Sequence, residues 1–153
     1  MATITRSTPS PRLMGIINPL VSFLVGRGRG RVAERLMVLH WTGRKTGEEY
    51  STPVSRFDRD GRLFTNTRAS YKHNFTDGWP AEIVLDGERQ PFVGTAISAP
   101  ELVGERMREL LDALGPKHGP RALGLKVEGD PTVDELAAHA AHEGLVVIEF
   151  EPA

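Results

Sequence analysis

The sequence has no cysteine. A chain without thiols cannot form disulfides, thiolate zinc sites or iron–sulfur clusters, and it cannot use a cysteine nucleophile. It also lacks an apolar run of the ~20 residues that a membrane-spanning helix needs. The nearest run, residues 13–25, is interrupted by polar residues and a proline, and no signal-peptide cleavage site follows it. These absences predict a cytoplasmic protein with no integral membrane segment.

Motifs of several common enzyme classes are missing as well. The chain contains no GxxxxGK phosphate loop and no GxSxG nucleophile elbow. The Gly-Arg run of residues 26–31 does not follow a predicted strand, so it does not meet the dinucleotide-binding fingerprint. His139 and His142 stand three apart, but the residues around them match no zinc-protease motif. We therefore predict no metal site, and a solvated basic linker at residues 26–31 rather than an RNA-binding segment.

The formal net charge of -1 over 153 residues conceals an uneven distribution. Residues 1–72 contain 13 Lys and Arg against 5 Asp and Glu, a net charge of +8. Residues 73–153 contain 6 against 15, a net charge of -9. A strongly basic half in a near-neutral protein is typical of a chain that binds an anionic partner through that half. The alternative is that the two halves attract each other within one fold.

The hydrophobic pattern predicts strands joined by short turns, with helices before and after them. Residues 12–25 predict a helix interrupted at Pro19, whose apolar face could cover the core, roof a pocket or make peripheral contact with a membrane surface. Residues 1–11 are polar, and we expect them to be mobile. The pattern predicts strands at residues 36–41, 50–57, 62–67, 81–85, 90–97 and 145–150, and helices at residues 98–114 and 131–142. This order predicts one α+β domain over residues 12–153, built on an antiparallel sheet or barrel.

Two polar segments carry the side chains best suited to bind an anion. Residues 43–47, Gly-Arg-Lys-Thr-Gly, lie between the first two predicted strands, and their glycines permit a turn whose amides converge. Arg44 offers a planar fork, Lys45 a point charge and Thr46 a hydroxyl donor. The second segment, residues 66–74, leaves the third strand with amide, hydroxyl and cationic groups. Either segment could instead be a solvated loop.

The run of residues 36–54, LMVLHWTGRKTGEEYSTPV, resembles the opening of the deazaflavin-dependent nitroreductase family. Members of that family are split β-barrel proteins related to flavin-dependent pyridoxamine phosphate oxidases. The shared pattern is an apolar strand, then TGRKTG or TGRKSG, then a strand that reaches proline and an apolar residue, here Pro53 and Val54. The hairpin at residues 58–62, the polar strand end at 66–70 and the last strand at 146–152 follow in the family's order. The resemblance implies an α+β fold of the antiparallel split β-barrel type.

The resemblance also implies an activity. Such a protein transfers a hydride from reduced coenzyme F-420, a deazaflavin, to an electron-poor acceptor such as an activated alkene, a quinone or a nitro compound. The cofactor carries a phosphodiester and an oligoglutamate tail, and the hard chemistry belongs to it. Carried over by position, the implied cofactor contacts are Arg44, Lys45 and Thr46 at the phosphate or tail, Tyr50, Thr52, Pro53, Val54 and Ser55 beneath the ring, and Asn66, Thr67, Arg68, Ala69, Lys72 and Asn74 against or near it.

The chain departs from the family after the second polar segment. Family members commonly read HPxWxxNL there, whereas residues 73–80 read HNFTDGWP. Well-studied members also have a tyrosine after the long helix, and here His118 falls in roughly that region. We therefore hypothesise that His118 or Tyr71 donates the proton that accompanies hydride transfer.

Three alternatives stay open. FMN could replace the deazaflavin, because its single phosphate could use the loop at residues 43–47. The protein could bind a cofactor without catalysis, or residues 27–31 could bind a nucleic acid, although we predict no such partner. Split barrels often pair across a sheet face, so we expect a homodimer that acts on a small-molecule substrate.

Overall fold

A computed structural model of the protein describes residues 3–6, 36–59 and 61–153. The predicted helix at residues 12–25 and the Gly-Arg run at residues 26–31 lie outside the described residues. The elements follow in the order β1 (Thr3–Arg6), β2 (Leu36–Thr42), β3 (Glu49–Ser55), β4 (Phe57–Arg59), β5 (Arg62–Thr67), a 3-10 helix (Ser70–Phe75), β6 (Trp79–Leu85), β7 (Glu88–Ile97), α1 (Pro100–Ala122), β8 (Leu125–Glu128), α2 (Val133–Glu143) and β9 (Val146–Pro152).

Seven strands form one sheet in the order β3-β2-β6-β7-β9-β5-β4. The hairpins β2–β3, β4–β5 and β6–β7 are antiparallel, and so is the pair β2–β6. The turn between β6 and β7 places Asp86 and Gly87 at φ angles of 51° and 82°, the left-handed conformations that a two-residue hairpin needs. An antiparallel seven-stranded sheet combined with helices confirms the predicted α+β class and is consistent with a split β-barrel.

Strands β3, β2, β6 and β7 separate an apolar face from a polar one. Directly opposed residues of antiparallel strands share a face, so Leu39 and Ile83 lie on the same side of the sheet. Both side chains are fully buried and belong to the core. The neighbouring row, in which His40 pairs with Ser51 and Glu82, lies on the opposite face.

The described residues group into two compact units. The sheet unit consists of residues 36–59, 61–65, 70–96 and 148–153. The helical unit consists of residues 3–6, 66–69 and 97–147, and it contains both α-helices. The prediction of one domain over residues 12–153 stays a prediction.

Helix α1 of the helical unit extends beyond its predicted end. The sequence predicts that it ends at Leu114 and that a loop follows. Gly115 does leave the helical region, with φ 83° and ψ 171°, but residues 116–122 then form further helical turns. Pro116 suits the start of that second segment because its fixed φ is helical and its missing N–H has no helical partner to lose there.

Helix α2 follows its sequence signals closely. The Thr132 side chain accepts from the Glu135 amide while the Glu135 carboxylate accepts from the Thr132 amide, which is a capping box. Gly144 ends the helix with φ 65°. The observed helix ends one residue after its predicted end at His142.

A short two-stranded ribbon was not predicted. Strand β1 pairs antiparallel with β8, with Ile4 opposite Val127. The expectation that residues 1–11 are mobile stays a prediction. Strands of four residues are too short to show a clear alternation of apolar and polar positions in a sequence.

Candidate functional site

Residues 43–48 form the loop that joins β2 to β3. The Gly43 amide donates to the Glu48 carbonyl at 2.8 Å, and the Gly47 amide donates to the Gly43 carbonyl at 2.9 Å. Gly47 has a φ of 69°, which glycine adopts at no steric cost. A Cβ atom at Gly43 would lie 2.5 Å from Thr46 Oγ1 and 2.8 Å from the Tyr50 ring. The geometry of the loop therefore calls for both glycines of the motif.

Arg44 fastens this loop to the segment that follows the 3-10 helix. Its guanidinium Nη2 donates to the carbonyl oxygens of Thr76 at 2.9 Å and Gly78 at 3.0 Å. The guanidinium carbon also lies 4.5 Å from the centroid of the Trp79 ring, a cation–π contact. Within the described part of the chain Arg44 pairs with no carboxylate, so its positive charge is not cancelled by a partner.

The segment that receives Arg44 is held to the loop at further points. The Arg44 amide donates to Asn74 Oδ1 at 2.8 Å, and Trp79 Nε1 donates to the Thr42 carbonyl at 2.8 Å. Asp77 and Gly78 have φ angles of 62° and 90°, which reverse the chain between the 3-10 helix and β6. The loop thus contacts the end of the second polar segment, at Asn74, and the residues that follow it, all within the sheet unit. We call residues 43–50 and 70–79 the loop cluster.

The predicted cofactor contacts within the loop differ in whether their side chains already make hydrogen bonds within the protein. Lys45 is exposed at the tip. Thr46 Oγ1 lies 3.1 Å from the Tyr50 hydroxyl and accepts from the Glu48 amide at 3.2 Å. The Tyr50 hydroxyl donates to the Glu48 carboxylate at 3.2 Å. Lys45 is therefore the cation most open to a ligand, whereas the hydroxyls of Thr46 and Tyr50 stiffen the loop.

An aromatic group lies beside the loop. The rings of Trp41 and Tyr50 stack with centroids 5.6 Å apart and an angle of 22° between their planes. Tyr71, a predicted proton donor, lies on Trp41 with a centroid distance of 4.9 Å. Tyr50 is 39% exposed, so part of this aromatic surface is open to solvent. The loop cluster thus combines cations with an accessible ring.

The middle of β3 does not present all its predicted contacts to one ligand. Successive strand residues point to opposite faces. Tyr50, Thr52 and Val54 lie on the core face, and Val54 is buried. Pro53 and Ser55 lie on the other face. A ring on one side of β3 could therefore contact only part of this set.

The predicted contacts at residues 66–69 belong to the helical unit. Thr67 Oγ1 accepts from the Ala69 amide at 3.0 Å, which fixes the backbone around Arg68. Arg68 Nε lies 3.8 Å from a carboxylate oxygen of Glu143, the last residue of α2. Asn66 is half-buried at the end of β5. This second arginine, unlike Arg44, meets an acid.

The two remaining predicted residues lie in different units. His118 is exposed in the second segment of α1, within the helical unit. Lys72 is half-buried in the 3-10 helix, within the loop cluster.

The face of β3, β2, β6 and β7 that carries His40 and Glu82 forms a groove with a volume of about 730 Å³. His40 lies in it beside the ion pair of Arg89 and Glu82, whose Nε and Oε2 atoms are 2.9 Å apart. Burial lowers the pKa of His40 below its ordinary value, and the positive charge of Arg89 lowers it further. Of the predicted cofactor contacts, Tyr50 borders this groove.

Neither a metal site nor a membrane span is found in the described chain. Among those residues, no three His, Asp or Glu side chains are placed to hold a metal ion. Over the same residues, no helix is both long and apolar enough to cross a membrane.

Comparisons with known proteins give little further information. No known family profile matches the chain, and no curated protein matches it. A solved structure described as a domain-swapped dimer is similar over 93% of this chain and 100% of its own, with 12% identity and a TM-score of 0.44. That likeness is too weak to indicate a family or an assembly. The link to the nitroreductase family therefore rests on the TGRKTG segment and its strand context.

No pattern in the sequence indicates that Arg68 meets α2. Glu143 and His139 stand four apart, so they share a face of the helix, and that spacing is readable. Their partner lies far away in the sequence, and no local pattern joins them. Trp79 provides the ring on which Arg44 lies, and no sequence pattern predicts that contact.

Proposed function

We propose that the protein is an oxidoreductase of the deazaflavin-dependent nitroreductase type, which transfers a hydride from reduced coenzyme F-420 to an electron-poor organic acceptor. The observation that carries the proposal is the fixed charge of Arg44 next to the exposed Lys45. Because carbonyls and an indole ring hold Arg44, the loop presents cationic charge in one place. A phosphodiester or an oligoglutamate tail is the kind of ligand that such charge attracts.

The donors of the loop cluster fit an anionic cofactor with a planar ring. Lys45 offers an exposed ammonium group, and Tyr50 offers part of a ring already stacked on Trp41. The acids of this region leave Lys45 open, because Glu48 accepts from Tyr50 and Glu49 lies on the opposite face of β3.

The two cations of the loop, Lys45 and Arg44, would have different roles in binding. Lys45 would contact the phosphate or the tail directly. Arg44 would keep the loop in its binding conformation and add charge at longer range, because its Nη2 is engaged by Thr76 and Gly78. This differs from the direct contact that the resemblance implies for Arg44.

When bound, the reduced deazaflavin supplies the hydride. The residues of the chain would orient the ring, shield it from water and supply a proton. Tyr71 is the favoured proton donor, because its ring packs on Trp41 within the loop cluster. His118 remains the second candidate.

Substitution separates these two proton donors. Tyr71→Phe keeps the ring and removes the hydroxyl, so it should lower turnover more than tenfold while cofactor affinity stays close to wild type. His118→Gln is the parallel variant. If Tyr71→Phe keeps full turnover and His118→Gln loses turnover, the proton donor would be His118 rather than Tyr71.

A cofactor titration tests the proposal. Purified protein is titrated with coenzyme F-420 and, separately, with FMN, and binding is followed by fluorescence at two salt concentrations. We expect saturable F-420 binding that weakens with salt, and oxidation of the reduced cofactor by at least one quinone, nitro compound or activated alkene. Tight FMN binding without F-420 binding would favour the flavin alternative. F-420 binding with no oxidation by any acceptor would favour a non-catalytic carrier.

We also propose that the protein works in the cytoplasm as a homodimer. The basis is the absence of cysteine and the pairing common among split barrels. Light scattering of the purified protein would give a mass twice the 16.8 kDa of the chain.

A further inference from the structure

Three charged or titratable side chains meet in the helical unit where β5 ends. Arg68 follows the last residue of β5, and its Nε lies 3.8 Å from Glu143 Oε2. His139 lies one helical turn before Glu143, close enough for Arg68 and Glu143 to alter its pKa. We call Arg68, His139 and Glu143 the arginine triad.

The ion pair of the triad is largely shielded from water. The side chains of Arg68 and Glu143 are 19% and 26% exposed. The charges of such a partly buried pair attract each other more strongly than the charges of a surface pair.

Glu143 occupies a position that a helix does not favour for an acid. The last turn carries the negative end of the helix dipole, which repels a carboxylate. The helix ends firmly at this residue, because Gly144 is left-handed and the Leu145 amide donates to the Ala140 carbonyl at 2.9 Å. Arg68 offsets the repulsion, and the fixed helix end holds the carboxylate in place for it.

His139 adds a second constraint next to Arg68. Its Nε2 is buried and has no hydrogen-bond partner among the residues that the structure describes. Burial lowers the pKa of His139, the charge of Arg68 lowers it further, and Glu143 opposes both effects. The imidazole is therefore neutral at pH 7 and adds no charge that would push Arg68 away.

We propose that Glu143 and His139 are positioning residues for Arg68: Glu143 attracts the guanidinium to the end of α2, and His139 lies one helical turn before Glu143 on the same helix. The contact of Arg68 with a cofactor rests on the function proposed above, whereas the arrangement around Arg68 does not. The hydrogen bond from the Ala69 amide to Thr67 Oγ1 fixes the backbone around Arg68, and Glu143 of α2 lies 3.8 Å from its Nε.

Protonation of His139 would disturb this arrangement. The charged groups that act on its imidazole are Arg68 at the strand end and Glu143 and His142 on α2. An imidazolium would repel the guanidinium and compete for the Glu143 carboxylate. The hold on Arg68 should therefore weaken as the pH falls below neutrality.

An NMR titration of the histidine ring protons tests the triad without any cofactor. The His139 signal is assigned by its loss in His139→Gln. Glu143→Gln should lower the pKa of His139, and Arg68→Gln should raise it. The control is Glu105→Gln, an exposed acid of α1 that should change nothing. An unchanged pKa of His139 in Glu143→Gln would overturn the proposal, and this variant suffices if Arg68→Gln does not fold.

The affinity for F-420 tests whether the triad positions Arg68 for cofactor binding. We expect Glu143→Gln to raise the Kd for F-420 about tenfold. In the wild type this Kd should rise as the pH becomes acidic, and Glu143→Gln should make that rise smaller. Glu105→Gln should bind F-420 like the wild type. Glu143→Asp should restore part of the affinity. Wild-type affinity and pH profile in Glu143→Gln would contradict the positioning role. If wild type binds no F-420, the function proposed above fails, and the histidine titration then decides whether the triad exists.

Discussion

Arg44 in the loop cluster and Arg68 in the arginine triad illustrate two ways to hold a guanidinium. Arg44 is fixed by the carbonyls of Thr76 and Gly78 and by the ring of Trp79, all of them neutral. Arg68 lies against the Glu143 carboxylate. The first arrangement keeps the positive charge available at longer range, and the second largely cancels it.

The difference indicates distinct roles for two residues that the sequence treats alike. A site that must attract phosphate or carboxylate groups benefits from charge that no acid neutralises. A site that must place one donor accurately benefits from an ion pair that restricts it. Under the function proposed above, the loop cluster would bind the anion and the triad would orient Arg68. Gly104→Ala perturbs the helical unit and Arg44→Ala perturbs the loop cluster, whereas a fall in pH acts on both units.

The largest effect is expected where α1 meets α2. A Cβ atom at Gly104 would lie 2.8 Å from the Val133 carbonyl oxygen and 3.0 Å from the Ala137 amide nitrogen. Because these are backbone atoms, α2 would have to shift, and Gly104→Ala should lower the free energy of unfolding by about 2–3 kcal/mol in a urea titration.

The same variant distinguishes the two regions. Its histidine titration should show a changed pKa for His139, since α2 carries that residue. The tryptophan emission of the folded protein should stay the same, since Trp41 and Trp79 both lie in the sheet unit. Glu105→Ala, the exposed neighbour, should stay within about 0.5 kcal/mol of wild type. A tolerated Gly104→Ala would show that α2 is not held as closely as the structure indicates.

A smaller loss is expected from Arg44→Ala. The variant removes two hydrogen bonds from a charged donor and a cation–π contact, worth together about 1–2 kcal/mol at this exposed position. The free energy of unfolding should fall by that amount, and the emission of Trp79 should move to longer wavelength. Lys45→Ala should change neither quantity. Equal stability losses in the two variants would refute the division of roles within the loop.

The pH dependence of stability should reveal one histidine in each unit, His40 in the sheet unit and His139 in the helical unit. Burial lowers the pKa values of His40 and His139 below the ordinary value of 6.5, with Arg89 and Arg68 as the next causes. The unfolded chain therefore binds more protons than the folded one below about pH 6.5, so stability is present above that pH and falls as the pH drops. Urea titrations at pH 7 and pH 5 should show the loss. His40→Gln and His139→Gln should each reduce it, and two variants as pH-sensitive as wild type would count against these shifts.

Much of the fold could be predicted from local patterns. The hairpin turn at Asp86 and Gly87 and the capping residues of α2 act over a few neighbours, so their sequence signals suffice. The second segment of α1 was missed because Gly115 and Pro116 look like an end rather than a break. Strands β1 and β8 were missed because four residues show too little periodicity.

The residue types of the candidate site could be predicted from the sequence, but the contacts between those residues could not. The TGRKTG segment identified the loop, and the glycines behave as that motif requires. The partners of Arg44 and Arg68 lie far from them in the chain, and no local signal names a carbonyl of Thr76 or a carboxylate of Glu143. The sequence shows that successive side chains of β3 point to opposite faces of the sheet. The contacts implied by the family resemblance at residues 50–55 nevertheless include side chains from both faces.

The most direct test of the central claim is the F-420 affinity of Lys45→Gln, measured against Lys126→Gln at low and high salt. Both lysines are exposed, and Lys126 lies on β8 in the helical unit. We predict that Lys45→Gln weakens F-420 binding about five- to tenfold at low salt and reduces its salt dependence, without loss of stability. Lys126→Gln should bind like wild type. Equal Kd values for Lys45→Gln and wild type would contradict the assignment of anion binding to this loop.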